Sequence, residues 1–151
     1  MGPKISELRS IRFFDNFSDD HLKIISRIST VKEFRVKEVL FEQYDRLTEL
    51  DILIEGSLSL GVSLAKEKRI HLSSIHPGQL ISWSAVFEPH ISTAWVIAEE
   101  PSKVLSIDAG KLQPEIERDC EFGLNTISII ARTIASRLID TRFQLMNQLT
   151  I

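Results

Sequence analysis

Four hydroxyl side chains and an indole make the most chemically pointed cluster in this chain. Ser82, Trp83 and Ser84 stand together inside Pro77-Gly78-Gln79-Leu80-Ile81-Ser82-Trp83-Ser84-Ala85-Val86-Phe87, and Ser92-Thr93 follow after a short gap. Gathered around a cavity, they offer neutral hydrogen-bonding groups and a ring for stacking. No arginine or lysine lies between Arg69 and Lys103, so this segment supplies no cation of its own. Such a surface suits an uncharged or weakly anionic metabolite better than a phosphodiester. Trp83 has several readings: it stacks on a planar ligand, it plugs the pocket, or it is a core residue at the barrel mouth. The flanking serines favour pocket lining.

Catalytic patterns are missing elsewhere. There is no GxSxG, no P-loop and no recognisable pair of pocket carboxylates. Asp19-Asp20 reads as a helix start and Glu99-Glu100 as a solvated turn. His21, His71, His76 and His90 lack metal-ligand spacing, and surface positions are expected for His71 and His76. Cys120, the only cysteine, reads as a partly buried small residue near a helix start. No enzyme activity and no metal are expected.

The elements that must position the cluster follow from periodicity. Ile5, Leu8, Ile11 and Phe14 have helical spacing. Ser18-Asp19-Asp20 predicts an N-cap for a second helix that carries Leu22, Ile25 and Ile28 on one face. From Thr30 to Ile107 the pattern turns to short strands: Val31–Arg35, Val39–Phe41, Leu50–Ile54, Leu58–Ser63, Arg69–Ile75, Ala94–Ala98 and Val104–Ile107, with Gly56 and Pro77-Gly78 at turns. Many short strands punctuated by Gly and Pro imply a closed or double-sheet β structure such as a jelly roll. Asp108 predicts a helix cap, and Pro114 implies that this helix restarts or is preceded by a turn. From about Glu121 to Leu149 a long helix is expected. Leu124, Ile127, Ala131, Ile134, Leu138, Thr141 and Leu145 form a heptad-like seam, widened by Ile130, Ile139, Phe143 and Met146. So much apolar surface needs two contacts: the protein's own β-structure and a second copy of the helix.

Taken in order, these segments resemble the cyclic nucleotide-binding domains of the catabolite-activator type over nearly the whole chain. Val39-Leu40-Phe41-Glu42-Gln43 before Asp45 is similar to one family turn, with Tyr44 where glycine is usual. Leu53-Ile54-Glu55-Gly56-Ser57-Leu58 is similar to the central strand-Gly-strand. Pro77-Gly78 and Thr93-Ala94-Trp95-Val96 are similar to the segments flanking the phosphate-binding cassette. The resemblance implies an α+β fold: a β-roll, or double-stranded β-helix, flanked by N-terminal helices and a long C-terminal dimerisation helix. Helices would span about 4–28, the roll about 30–107 and the final helices about 108–149, as one domain over 1–151.

In that family a short helix presents backbone N–H groups to the cyclic phosphate, glycine permits close approach, glutamate accepts the ribose hydroxyl and arginine neutralises the phosphate. Here those positions hold Ser82, Trp83 and Ser92. The cassette is therefore degenerate, and weak or absent cyclic AMP binding is expected. The resemblance places Ile81, Ser82, Trp83, Ser84, Ala85, Ser92, Thr93, Ala94, Arg137 and Thr141 at the ligand site. Arg137 either supplies a replacement cation or faces solvent. Leu124, Ile127, Ala131, Ile134, Leu138 and Leu145 would form the dimer interface. No cofactor is implied with certainty; a cyclic nucleotide or another small metabolite is the candidate ligand.

The 151 residues carry a net charge of −3, with 43% hydrophobic and 26% charged residues, ordinary for a globular domain. No basic block favours direct DNA binding, and the family's DNA-reading helix-turn-helix does not follow the long helix before Ile151. A separate effector protein is a possible partner. With one cysteine, no signal-like start and no membrane span, a cytoplasmic location is expected. Two functions follow: a non-catalytic sensing module whose ligand in the roll is coupled to the C-terminal helix, or a ligand-free interaction domain dimerising through that helix.

Overall fold

A computed structural model of the chain describes residues 2–65 and 68–150. Its eight strands form two four-stranded antiparallel sheets. The first runs β1 (Ser29–Phe34), β8 (Ser102–Asp108), β3 (Glu49–Glu55), β6 (Leu80–Ser82); the second runs β2 (Val39–Phe41), β7 (Trp95–Ala98), β4 (Leu58–Leu64), β5 (Lys68–Ile75). Strands distant in sequence are neighbours in both sheets, as a β-roll requires. Two helices precede the roll, α1 (Ile5–Arg9) and α2 (Asp19–Arg27), and two follow it, α3 (Ala109–Arg118) and α4 (Cys120–Leu149).

Two apolar clusters hold these parts together. One lies between the first sheet and the helices, where Leu50, Ile52, Leu105 and Ile107 meet Leu8, Phe14, Leu22 and Phe122. The other fills the roll with Phe41, Leu53, Leu58, Ile81, Val96 and Val104. β3 separates the two cores, which explains its nearly continuous apolar run. Alternation then turns Asp51, between Leu50 and Ile52, toward the inside of the roll.

Local chemistry explains most of the boundaries. The Ser18 side chain accepts from the His21 N–H and starts α2, while Asp108 accepts from the Lys111 N–H and starts α3. Gly78 has φ +88°, and a Cβ there would come within 2.8 Å of the Arg12 Cβ, so the turn before β6 needs glycine. Tyr44 adopts the same left-handed region with φ 76°, at the position where the family resemblance placed glycine.

Some boundaries differ from expectation. The helix expected over Ile5–Phe14 stops at Arg9, and Arg12–Phe14 form a 3₁₀ turn. The Arg9 guanidinium donates to the Phe14 and Phe17 carbonyls, at 3.4 and 2.7 Å, which holds the chain in this tighter path. Leu8, Ile11 and Phe14 are buried nonetheless. β6 was not expected as a strand; three residues show no alternation to read. Pro114 sits inside an unbroken α3. Its missing N–H leaves the Gly110 carbonyl, four residues earlier, without its helical bond, and the helix runs on to Arg118.

The base of α4 is clamped from the other end of the chain. Asp119 is its N-cap and accepts from the Glu121 and Phe122 N–H groups at 3.0 and 3.1 Å. The same carboxylate lies 2.9 Å from Nε2 of His21, a buried residue on α2. The Phe122 N–H, followed by His21, holds the Asp119 carboxyl below its usual range. Among the described residues no helix is long and apolar enough to cross a membrane.

Candidate functional site

The cassette segment leaves β6 and runs as turns from Ser84 to Pro89, without a helix. The Val86 N–H donates to the Trp83 carbonyl at 3.0 Å and the His90 N–H to the Phe87 carbonyl at 2.8 Å. The family's phosphate-facing helix start is therefore missing, which corrects the expectation of a short helix here. The Glu88–Pro89 peptide is cis. The segment returns through Ser92, whose hydroxyl donates to the Ala94 carbonyl at 2.5 Å and accepts from the Ala94 N–H at 3.2 Å. Its backbone N–H donates to Asp45 and its carbonyl accepts from Tyr44. Ser92 is thus engaged in holding the loop.

Ile81, Ser82, Trp83, Ser84, Ser92, Thr93, Ala94, Arg137 and Thr141 all line one cavity of about 240 Å³ inside the roll, floored by Phe41, Leu60 and Leu72. Ala85 is buried but is not part of this wall. Ordinary small-molecule pockets hold roughly 300–1,000 Å³, so this one is small. Ser82 is 4% exposed, and its Oγ has no hydrogen-bond partner among the described residues.

α4 closes the cavity through Arg137. Its Nη1 donates to the Ile81 carbonyl at 2.6 Å and its Nη2 to the Leu80 carbonyl. The guanidinium stands 5.2 Å from the centre of the Trp83 ring. Arg137 is therefore neither a free ligand cation nor a solvent-facing side chain; it ties α4 to β6. Burial pushes its guanidinium down to about 10, partly offset by Asp140, and it remains charged at neutral pH. The Thr141 hydroxyl bonds back to the Arg137 carbonyl at 2.8 Å. Arg137 also borders a larger cleft of about 800 Å³ between α4, the 3₁₀ turn and the β5–β6 turn. It is the common wall of the two spaces.

Beyond Arg137, α4 projects from the roll. Leu124, Ile134, Leu138 and Leu145 on the seam are exposed, as are Ile139, Phe143, Met146 and Leu149. Ile139, Phe143 and Met146 are not covered by the protein's own roll. Ile130 alone of the widening residues is buried against the core.

One buried group carries only a faint local signal in the sequence. Asp51 on β3 is the cross-strand partner of both Ser82 and Ser106. Its Oδ1 is closed to solvent and has no partner among the described residues. Burial pushes the carboxyl up to about 7 from 3.8; the Ser106 hydroxyl lowers it, Glu49 raises it and Lys32 lowers it. Its position between two core residues was the available clue.

The family profile of the cyclic nucleotide-binding domain matches residues 31–119. The chain belongs to the cyclic nucleotide-binding domain family. The domain is similar to a candidate cyclic nucleotide-binding protein of Geobacter metallireducens GS-15, at 27% identity and a TM-score of 0.78, over 90% of this chain and 98% of that one. Lower identities extend the fold likeness. The catabolite activator protein of Thermus thermophilus shares 17%, with a TM-score of 0.72 over 90% of this chain and 63% of that one. The regulatory domain of Toxoplasma gondii PKA, crystallised with cAMP, shares 16%, with a TM-score of 0.73 over 87% and 48%. No curated protein matches the sequence. Among the described residues of this domain, no three His, Cys, Asp or Glu side chains are grouped to hold a metal.

Proposed function

We propose that the protein is a non-catalytic, cytoplasmic regulatory module that senses a small molecule other than cyclic AMP in its roll and reports occupancy through α4. The carrying observation is Arg137. One side chain on α4 binds the carbonyls of Leu80 and Ile81, covers Trp83 and walls the cavity. A ligand that displaces or tightens it must alter the attachment of α4, and only such differential contact shifts a conformational equilibrium. The seam of Leu124, Ile127, Ala131, Ile134, Leu138 and Leu145, exposed except for Ile127, which packs partly against the core, then serves a homodimer, or a separate effector protein. Direct DNA contact by this domain is not part of the reading, because it has no basic block.

The reading against cyclic AMP rests on the cassette. It lacks the arginine, the acidic acceptor and the helix start, and Arg137 is already bonded. A charge-assisted phosphate contact contributes roughly 1.5–3 kcal/mol, or about one to two decades of affinity. A thermal-shift panel with cyclic AMP, cyclic GMP, cyclic dinucleotides and small neutral heteroaromatics tests this, since a ligand of the folded state raises the melting temperature by mass action. A shift with a neutral compound alone is expected. Micromolar binding of cyclic AMP would sink the reading.

The small cavity supports a second reading, an interaction domain whose pocket is closed by Trp83 and Arg137 and which acts only through its helical seam. No shift with any compound, together with a stable dimer in sedimentation, would favour it.

A further inference from the structure

We propose that Asp51 sets the hydrogen-bond polarity of the roll cavity through Ser82, so that the cavity takes a small neutral ring bearing an N–H or O–H donor when Asp51 is ionised. The inference rests on the cavity being a ligand site and names the ligand class it would take.

Two unsatisfied groups carry it. Asp51 Oδ1 and Ser82 Oγ are both buried without a partner among the described residues, yet their residues face each other across β3 and β6. Side chains paired this way stand roughly 4.5–5.5 Å apart at Cβ, within reach of a hydroxyl that changes rotamer. Buried polar groups are normally bonded, so two orphans side by side are unusual. Ser82 also lines the cavity, which makes it the link between Asp51 and whatever enters. The register break opposite Asp51 and Ile52 lets Ile81 and Ser82, adjacent in sequence, both join that wall.

The chemistry follows from what each form of Asp51 can donate. An ionised carboxylate only accepts. Ser82 then gives its single proton to Asp51 and turns its lone pairs to the cavity, where a ligand donor satisfies them. A protonated Asp51 donates to Ser82 instead, and Ser82 is freed to donate inward. The groups around the carboxyl come from its own strand, its two neighbours and the sheet edge beyond: Glu49 of β3, Ser82 of β6, Ser106 of β8 and Lys32 of β1. Lys32 and Glu49 pair with each other, so neither charge dominates Asp51. Titration near neutrality, caused chiefly by burial, brings both forms within reach of physiological pH.

Size and walls select a ring. The cavity of about 240 Å³ is flanked by Phe41 and Trp83. An apolar cavity of about 150 Å³ already accepts benzene, so a one- or two-ring heteroaromatic is accommodated. A base, ribose and phosphate together are not.

The probes are indole, which carries a ring N–H, and its isostere benzofuran, which does not. Binding is measured by calorimetry at pH 8 and pH 5.5, and the Asp51 carboxyl is followed by ¹³C NMR. At pH 8 indole is expected to bind about tenfold more tightly than benzofuran. The preference should collapse at pH 5.5 and become independent of pH in Asp51→Asn. Ser82→Ala removes the donor to the ionised form and is expected to raise the Asp51 midpoint by about 0.5–1 unit. Equal affinities at pH 8, or a preference unchanged at pH 5.5, overturn the proposal. If the rings bind and Ser82→Ala leaves the midpoint unmoved, the cavity is a ligand site and the Asp51–Ser82 link is wrong. If neither ring binds while the midpoint moves, the ligand reading itself fails and takes the proposal with it.

Discussion

Asp51→Asn should stabilise the protein, and by an amount that grows with pH. The Asp51 carboxyl titrates near 7 in the folded protein and near 3.8 as a free side chain. A raised folded pKa means that the native state binds the proton more tightly. The associated stability is therefore fully present below pH 3.8 and is lost as pH rises toward 7. Each pH unit across that interval costs about 1.4 kcal/mol, so the folded protein forgoes about 4 kcal/mol once Asp51 is ionised. Asparagine keeps the shape and removes the charge. Relative to wild type, Asp51→Asn should gain about 3 kcal/mol between pH 4.5 and pH 8. Urea denaturation of both proteins at several pH values measures this directly, because every other group titrates alike in the pair and cancels. With an unchanged slope, the difference appears as a shift of the midpoint. Parallel stability profiles for the two proteins would refute the assignment of a buried, neutral carboxyl to β3.

Three other outcomes are expected. Arg137→Ala removes two bonds to the Leu80 and Ile81 carbonyls and the contact with Trp83; it should destabilise by about 2–4 kcal/mol and open hydrogen exchange in β6, whereas unchanged exchange there would show that α4 is held by other contacts. Leu138→Glu places a charge on a seam residue that is 49% exposed in the monomer; folding should survive while self-association weakens at least about tenfold, as read by sedimentation equilibrium. Tyr44→Gly relieves a left-handed residue that is 73% exposed; allowing for the entropy of glycine, a gain of about 0.5–1 kcal/mol is expected, measured by thermal unfolding.

The sequence by itself determined most of the elements and their order. Short apolar runs bounded by turn residues marked most of the strands, and β2 formed over Val39–Phe41 as expected. Ser18 and Asp108 marked helix starts because a cap is satisfied within four residues of itself. The family followed from the order of weak local signals, and the lack of a cassette cation could be read from the residues between Arg69 and Lys103.

What only the tertiary structure decided is which groups face one another. Asp51 is one acidic letter in an apolar run until β6 and β8 flank it. Ser92 reads as a ligand group until its hydroxyl closes onto Ala94. His21 has no local sign of burial, and its partner Asp119 is 98 residues away. Arg137 reads equally as a ligand group or a solvent-facing side chain until it meets the carbonyls of Leu80 and Ile81, 57 and 56 residues away. Periodicity and capping are local and persist in the written order of residues. Burial, register and pairing arise when distant segments exclude water together, and these set the charge, reach and freedom of each side chain in the cavity.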